Sequence, residues 1–113
     1  MTVALLGRDL IFASRVEAAA ERAGASFMRY ADPAALPLPD TVRLLLVSWD
    51  ERAPDWGKRI SEWCAGAPES AAPRVVLFGP HTDLAAHAEA RAAGLGPMWA
   101  RSRLVAALPD LLA

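Results

Sequence analysis

The sequence is poor in several residues that mark common classes of protein. Cys64 is the only cysteine among 113 residues, which excludes an internal disulfide and a metal site built from several thiolates. Lys58 is the only lysine and the net charge is −1, so the chain offers no broad positive surface for nucleic acid or an anionic membrane. The apolar start, residues 1–6, is too short for a signal peptide or a membrane helix. We therefore expect a cytoplasmic protein.

The composition that remains is that of a folded domain. Hydrophobic residues make up 54% of the chain and charged residues 22%, which is typical of a globular protein and not of a disordered one. No repeat, low-complexity tract or linker divides the sequence. Residues 1–113 therefore form a single domain that is large enough to bury one core.

A short apolar run at residues 42–48 predicts the central strand, because strands buried on both faces of a parallel sheet are continuously hydrophobic. A first strand is predicted at residues 3–6. The helix that follows it, from residue 9 or 10 to 23, carries apolar residues at helical spacing and ends before Gly24. Residues 25–30 alternate in character and predict an outer strand. Strands and helices therefore alternate along the first half of the chain.

The next segments continue this alternation. Asp32 and Pro33 favour a helix start, but Pro37 and Pro39 end it, so the second helix is shortened. Further helices are predicted at residues 54–65 and 82–93 and after a cap at Ser102, with strands at 74–78 and 97–100. The pattern predicts an α/β fold, a flavodoxin-like three-layer sandwich. Its parallel sheet has five strands in the order 2-1-3-4-5, with helices on both faces.

The order, spacing and size of these elements resemble the receiver domain of response regulators over nearly the whole chain. The resemblance rests on the Leu-Leu-Leu-Val third strand, the Val-Val-Leu-Phe fourth strand and Arg101 after a short fifth strand. It implies phosphoryl transfer to an Asp at the end of the third strand. In that family, acids after the first strand hold Mg²⁺, a Ser or Thr ends the fourth strand, and a Lys follows the fifth.

The residues at these positions depart from the family. The acid pair falls on Gly7 and Arg8, the acceptor on Ser48, the hydroxyl residue on Gly79 and the Lys on Arg101. An aspartyl phosphate requires a carboxylate nucleophile, and Mg²⁺ requires oxygen ligands that Gly and Arg side chains do not supply. We therefore expect a degenerate member, a pseudo-receiver with no metal site, no cofactor and no catalytic residue.

A different alignment by one or two positions would bring Asp9 or Asp50 to the same edge of the sheet. These supply at most two carboxylates, and Arg8 and Arg101 would neutralise them as ion pairs. Phosphorylation by the usual aspartyl route is therefore not expected under either alignment.

Five residues meet at the carboxyl edge of the predicted sheet, where open α/β sheets bind ligands. They form a candidate anion site of two guanidinium groups, a hydroxyl and two small residues: Gly7, Arg8, Ser48, Gly79 and Arg101. The alternative is that the two arginines make structural ion pairs with Asp9, Asp50 or the C-terminal residues. We favour the ion pairs.

A second candidate surface lies on the face formed by the fourth helix, the fifth strand and the last helix. Exposed Trp and Arg side chains are typical of protein interfaces. The candidate interface residues are Ala90, Trp99, Arg103 and Leu104. We also expect Trp49 and Trp99, at two strand ends, to be partly exposed.

These observations predict a non-catalytic, stand-alone receiver-like domain that acts through protein–protein contacts in bacterial signalling or regulation. Its protein partner is not identified by the sequence, and a homodimer is one candidate; nucleic acid and membranes are not expected as partners. The alternative function is a binder of a small anion or nucleotide at the carboxyl edge. A third hypothesis, an enzyme using His81 and Asp83, is weaker because neither a nucleophile–base pair nor a metal set accompanies them.

Overall fold

The computed structural model describes all 113 residues and confirms the predicted α/β fold. Its strands are β1 (Thr2–Leu6), β2 (Ser26–Tyr30), β3 (Leu44–Ser48), β4 (Arg74–Phe78) and β5 (Met98–Trp99). Its helices are α1 (Leu10–Arg22), α2 (Trp56–Ala65), α3 (Leu84–Ala92) and α4 (Arg101–Leu111). All strand pairs are parallel and the order is β2-β1-β3-β4-β5. None of the four helices has the length and apolar character needed to cross a membrane.

The shortened second helix is reduced to two single turns of 3₁₀ helix, Pro33–Ala35 and Pro39–Thr41. Asp32 begins the first turn as predicted, because its carboxylate accepts a hydrogen bond of 2.8 Å from the backbone N–H of Ala34. The segment 31–43 therefore crosses the sheet as a mostly extended strap, where the neighbouring connections contain full helices.

The core has one half on each face of the sheet. Alternate β3 residues point to opposite faces, so Leu44 and Leu46 belong to one cluster while Leu45 and Val47 belong to the other. We call the face covered by α1 and α4 the first face and the face covered by α2 and α3 the second face. Every residue of β3 is buried, which explains its unbroken apolar run.

Most boundaries differ from the sequence prediction by one or two residues, and those of the last helix and the fifth strand change the assignment of a cap and of a strand length. The last helix begins at Arg101, so Ser102 lies inside it; the N-cap residue is Ala100, which makes no side-chain capping bond. The fifth strand is also shorter than predicted, with only two residues paired to β4. In contrast, the turns after α1 and α3 contain Gly24 and Gly94 at φ +73° and +75°, a conformation that favours glycine.

Candidate functional site

The ends of three neighbouring strands form a crevice at the carboxyl edge of the sheet, which we define by Gly7, Ser48 and Gly79. Gly7 and Gly79 directly follow β1 and β4, and Ser48 is the last residue of β3. A Cβ atom built on Gly7 would lie only 2.8 Å from the Cβ of Ser48. The sequence therefore places these three residues together correctly, and they pack too closely to admit a side chain at position 7.

Glu51 occupies this crevice, although no motif in the sequence marks it. Its two carboxylate oxygens accept hydrogen bonds of 3.0 and 3.1 Å from the backbone N–H of Arg8. One of them would also lie 2.8 Å from a Cβ on Gly7. The chain brings Glu51 here by folding back at the end of β3 in the single 3₁₀ turn Trp49–Glu51. The backbone donor that an external anion would use is therefore bound to an internal carboxylate.

Ser48, at the position where the receiver family has its phosphate acceptor, is 2% exposed. Its hydroxyl donates a hydrogen bond of 2.9 Å to a carboxylate oxygen of Asp50. Asp50 itself is exposed, so the pair reaches from the sheet to the surface. The hydroxyl proton is committed to this local turn, and little of the oxygen is accessible to a ligand.

Arg101 is held by a structural ion pair, as we favoured. Its guanidinium donates to Asp9 at 2.9 Å and lies over the rings of Phe12 and Phe78 at 4.7 and 5.2 Å from their centroids. Asp9 is also the N-cap of α1 and accepts from the backbone N–H of Phe12. The hydrogen bond from the Phe12 N–H lowers the pKa of the Asp9 carboxyl below its ordinary value, and the Arg101 guanidinium lowers it further by a smaller amount. Arg101 thus ties α4 to the start of α1.

Arg8 differs from Arg101. Its side chain is exposed and makes no ion pair, and only its backbone N–H takes part in the crevice. A second guanidinium, that of Arg29 on β2, lies at the same edge and donates a hydrogen bond of 2.9 Å to the backbone carbonyl of Gly7. Arg29 was predicted only as a strand residue, since nothing in a short alternating strand shows how far a long side chain reaches.

Gly79 lies where the family has its hydroxyl residue. Its N–H donates to the Trp99 carbonyl at 3.0 Å, continuing the β4–β5 ladder. A Cβ here would approach the Met98 sulfur at 3.2 Å and the backbone nitrogen of Asp50 at 3.5 Å. Met98 and Asp50 therefore pack closely against Gly79, and a larger side chain at this position would have to displace them.

The prediction that Trp49 is partly exposed is wrong. Trp49 is 1% exposed, and its indole N–H donates to the Ala86 carbonyl on α3 at 2.9 Å. Arg52 covers the ring and pairs with Glu89. The Glu89 hydrogen bond raises the pKa of Arg52, and the same bond lowers the pKa of Glu89. The 3₁₀ turn after β3 therefore buries Trp49 under α3.

An open groove of about 770 Å³ lies beside this tryptophan, between α2 and α3. Its floor is made of small residues, among them Gly57 and Ala93, and its rim carries Arg52, Lys58 and Glu89. Ser61 donates a hydrogen bond to the Ala93 carbonyl and holds the two helices together. The rim charges are of both signs, so the groove has no preference for ligands of one charge.

The predicted interface residues are divided between surface and core. Ala90 and Leu104 are 1% and 0% exposed, so these two side chains pack in the core and are not available on the surface. Trp99 is half-buried, and Arg103, which is exposed, stacks over its ring at 4.4 Å. Only Trp99 and Arg103 of the four candidates therefore present side chains to a partner on this face.

The remaining reactive residues do not assemble into a site. His87 donates through Nε2 to the His81 carbonyl at 2.6 Å, which bridges the start of α3 and its loop. No group of three or more His, Cys, Asp or Glu side chains is arranged to hold a metal ion. Cys64 is half-buried on α2, and burial raises the pKa of its thiol, which disfavours the nucleophilic thiolate.

Comparison with known proteins supports the architecture. No protein-family model and no curated protein matches the sequence. Among solved structures, the chain is similar to a response regulator from Thermotoga maritima, with a TM-score of 0.67 and 14% sequence identity. The match covers 98% of this chain and 96% of that one. At this identity the likeness concerns the fold alone, and it gives this chain a receiver-like fold.

Proposed function

We propose that the protein is a non-catalytic, receiver-like domain that acts through protein–protein contacts in signalling or regulation. The observation that carries the proposal is the state of the crevice. Its donors and acceptors already bind one another: the Arg8 N–H donates to the Glu51 carboxylate, and the Ser48 hydroxyl donates to the Asp50 carboxylate. A crevice that satisfies itself has little free energy to gain from a phosphoryl group or another small ligand.

The residue chemistry at the acceptor position supports this proposal. Transfer of a phosphoryl group to Ser48 would require a base to remove the hydroxyl proton. The hydroxyl donates to the exposed Asp50 carboxylate two residues along the chain, and no histidine or lysine bonds to it. Ser48 is also almost fully buried. The arrangement stabilises a turn and does not activate a nucleophile.

The role in signalling rests on the receiver-like fold, which commonly serves there, and fold alone does not establish function. On the face that we predicted to bind a partner, the exposed Arg103 guanidinium stacks on the half-buried Trp99 ring. Trp and Arg are both enriched among the residues that anchor protein interfaces. We retain these two residues in the proposed interface with a protein partner.

The experiment that tests the proposal treats the purified protein with Mg²⁺ and beryllofluoride, and separately with acetyl phosphate, next to a working receiver domain as a positive control. We expect no change in melting temperature with the first and no added phosphoryl mass with the second. A ligand at a hundred times its dissociation constant stabilises a fold by about 2.7 kcal/mol, which shifts the melting temperature of a domain this size by several degrees. Such a shift, or stoichiometric phosphorylation, would refute the proposal.

The alternative function, binding of a small anion or nucleotide, is favoured by one observation. The exposed Arg8 side chain makes no ion pair, and the Arg29 guanidinium donates to the backbone carbonyl of the preceding residue, Gly7. Under this alternative the wild-type protein is stabilised by phosphate or a nucleotide without Mg²⁺. Under our proposal, only a variant that removes the Glu51 carboxylate binds phosphate or a nucleotide.

The variant Glu51→Ala distinguishes the proposed interaction domain from the alternative, a binder of a small anion or nucleotide. We expect it to lower the free energy of unfolding by about 0.5–1.5 kcal/mol, because the Arg8 N–H loses its partner, and to gain stabilisation by phosphate. The matched control is Glu62→Ala, which removes an exposed carboxylate that pairs only with Lys58 at 3.8 Å. Stabilisation of the wild-type protein by phosphate would favour the alternative.

A further inference from the structure

The outer edge of the sheet at β2 carries backbone groups that bind nothing. The Ser26 N–H donates to the Met1 carbonyl and the Gly7 N–H donates to the Tyr30 carbonyl, at 3.0 and 2.9 Å. In a parallel ladder, alternate residues of a strand bond to the same neighbour. The even-numbered residues of β2 therefore face β1, and the N–H and C=O groups of Phe27 and Arg29 point away from the sheet. No turn or loop backbone group bonds to them.

This edge lacks most of the features that protect exposed strands from pairing with other chains. β2 contains no proline and no lysine, and its pairing with β1 is regular over all five residues, without a bulge. Its one charged side chain, Arg29, is directed back to the Gly7 carbonyl of its own sheet. Met28 on the second face is 51% exposed, beside the strap that replaces a helix. The edge is therefore regular and carries none of these protective features.

We propose that β2 pairs in antiparallel fashion with β2 of a second copy of this chain, which joins two sheets into one of ten strands. A two-fold axis perpendicular to the sheet passes between the two Met28 residues. Phe27 of each copy then lies opposite Arg29 of the other, and each such pair exchanges two backbone hydrogen bonds. The two Met28 side chains meet at the axis as a non-hydrogen-bonded pair, which brings their apolar surfaces together.

The sequence of the strand favours a second copy in this register. A shift by two residues in one direction places Arg29 opposite Arg29, and like charges directly opposite each other destabilise a sheet. The opposite shift places Tyr30 opposite Gly24, which lies outside the strand at φ +73°. Only the register centred on Met28 pairs all five residues and avoids charge repulsion. The strand is thus complementary to itself.

The contact is small, because it consists of two five-residue strands and the side chains next to them. Interfaces of this size lie at the low end for specific complexes, so we expect dimers that dissociate on dilution. The inference rests on the proposed function only in assigning the protein a role in protein contact. The crevice experiments measure ligand binding and this one measures association, so failure of one is distinguishable from failure of the other.

The first test is a cysteine cross-link. In a Cys64→Ala background, Met28→Cys places the two sulfurs at the axis, where Cα atoms about 4.5 Å apart permit a disulfide. We expect mild oxidation to give a covalent dimer. The control Leu84→Cys introduces a thiol at a position that is 81% exposed but far from β2 in the sheet order, and it is expected to stay monomeric. Equal cross-linking of both variants, or of neither, would overturn the proposal.

The second test needs no oxidation. Sedimentation of the unmodified chain over a range of concentrations is expected to show a monomer–dimer equilibrium. Met28→Glu should weaken it by about tenfold or more, because two carboxylates meet at the axis, while the matched variant Leu84→Glu leaves it unchanged. A chain that stays monomeric at the highest attainable concentration would contradict self-pairing and leave the edge for a strand of a different protein.

Discussion

The crevice and the β2 edge belong to the same sheet and differ in how the chain satisfies their polar groups. At the crevice, the Arg8 N–H, the Ser48 hydroxyl and the Arg101 guanidinium all have partners within the chain. At the β2 edge, the outward backbone groups of Phe27 and Arg29 have none. The position that binds ligands in most open α/β sheets is closed here, and the position that is usually protected is open.

The difference comes from the segments that follow the strands. After β3 the chain turns back at once in the 3₁₀ turn Trp49–Glu51. This turn places the Trp49 indole in the core and the Glu51 carboxylate in the crevice. After β2 three prolines hold the chain in an extended strap that does not build a full helix. Substitutions should therefore affect stability strongly at the first region and weakly at the second.

Trp49→Ala should produce the largest effect. The side chain is fully buried, so its removal leaves a cavity and loses the bond from the indole N–H to the Ala86 carbonyl, and the free energy of unfolding should fall by about 3–5 kcal/mol. Urea denaturation measures this loss. The half-buried Trp99 is the matched control, and Trp99→Ala should cost less. Equal losses would mean that the turn after β3 does not anchor the closed region.

Gly7→Ala tests the close packing of the crevice directly. A methyl group here lies 2.8 Å from Ser48 and Glu51 atoms, so neighbours must move, and we expect a loss of about 1–3 kcal/mol by urea denaturation. Met28→Ala at the open edge should change stability by less than about 1 kcal/mol when measured at concentrations where the chain is monomeric. If the edge variant is the more damaging of the two, the contrast between the regions fails.

The smallest effect concerns the ion pair beside the crevice. The pKa of Asp9 is lowered in the folded state, so its contribution to stability is present above the ordinary pKa of about 3.9 and is lost as pH falls through the folded value. Asp9→Asn should lower the melting temperature slightly at pH 7, and the difference should narrow as the pH falls below the ordinary pKa of the carboxyl. The control Asp110→Asn alters an exposed carboxyl and should give parallel curves. A difference that persists in acid would show that the carboxylate charge is not what stabilises this pair.

Most of the fold can be predicted from the sequence, because apolar periodicity and the residues that end helices and strands depend only on nearby positions. The buried run of β3, the helical spacing in α1 and the glycines after α1 and α3 each depend on a few neighbouring residues. The convergence of Gly7, Ser48 and Gly79 follows from strand order alone. The ion pair of Arg101 with Asp9 was one of the pairings that the sequence suggested, because residues that follow parallel strands of one sheet lie at the same edge, although β3 and β4 separate β1 from β5.

What the sequence does not predict depends on where loops and long side chains go. Nothing in a Ser-Trp-Asp-Glu segment distinguishes an exposed loop from a 3₁₀ turn that buries Trp49 and aims Glu51 at the Arg8 N–H. The burial of Ala90 and Leu104 depends on which side of each helix meets the sheet. The apolar stripe of α3 consists of small residues, and such a stripe does not determine which side of the helix packs against the sheet.

The two halves of the core also depend on different parts of the chain, and this sets an order in which the protein can assemble during synthesis. The cluster on the second face is complete once Met98 has been made. The cluster on the first face also requires Leu104, Leu108 and Leu112, and its ion pair joins residues 92 positions apart. Until α4 emerges from the ribosome, α1 alone covers the first face of a nascent chain, so the last helix ends the exposure of this apolar surface to chaperones and to aggregation.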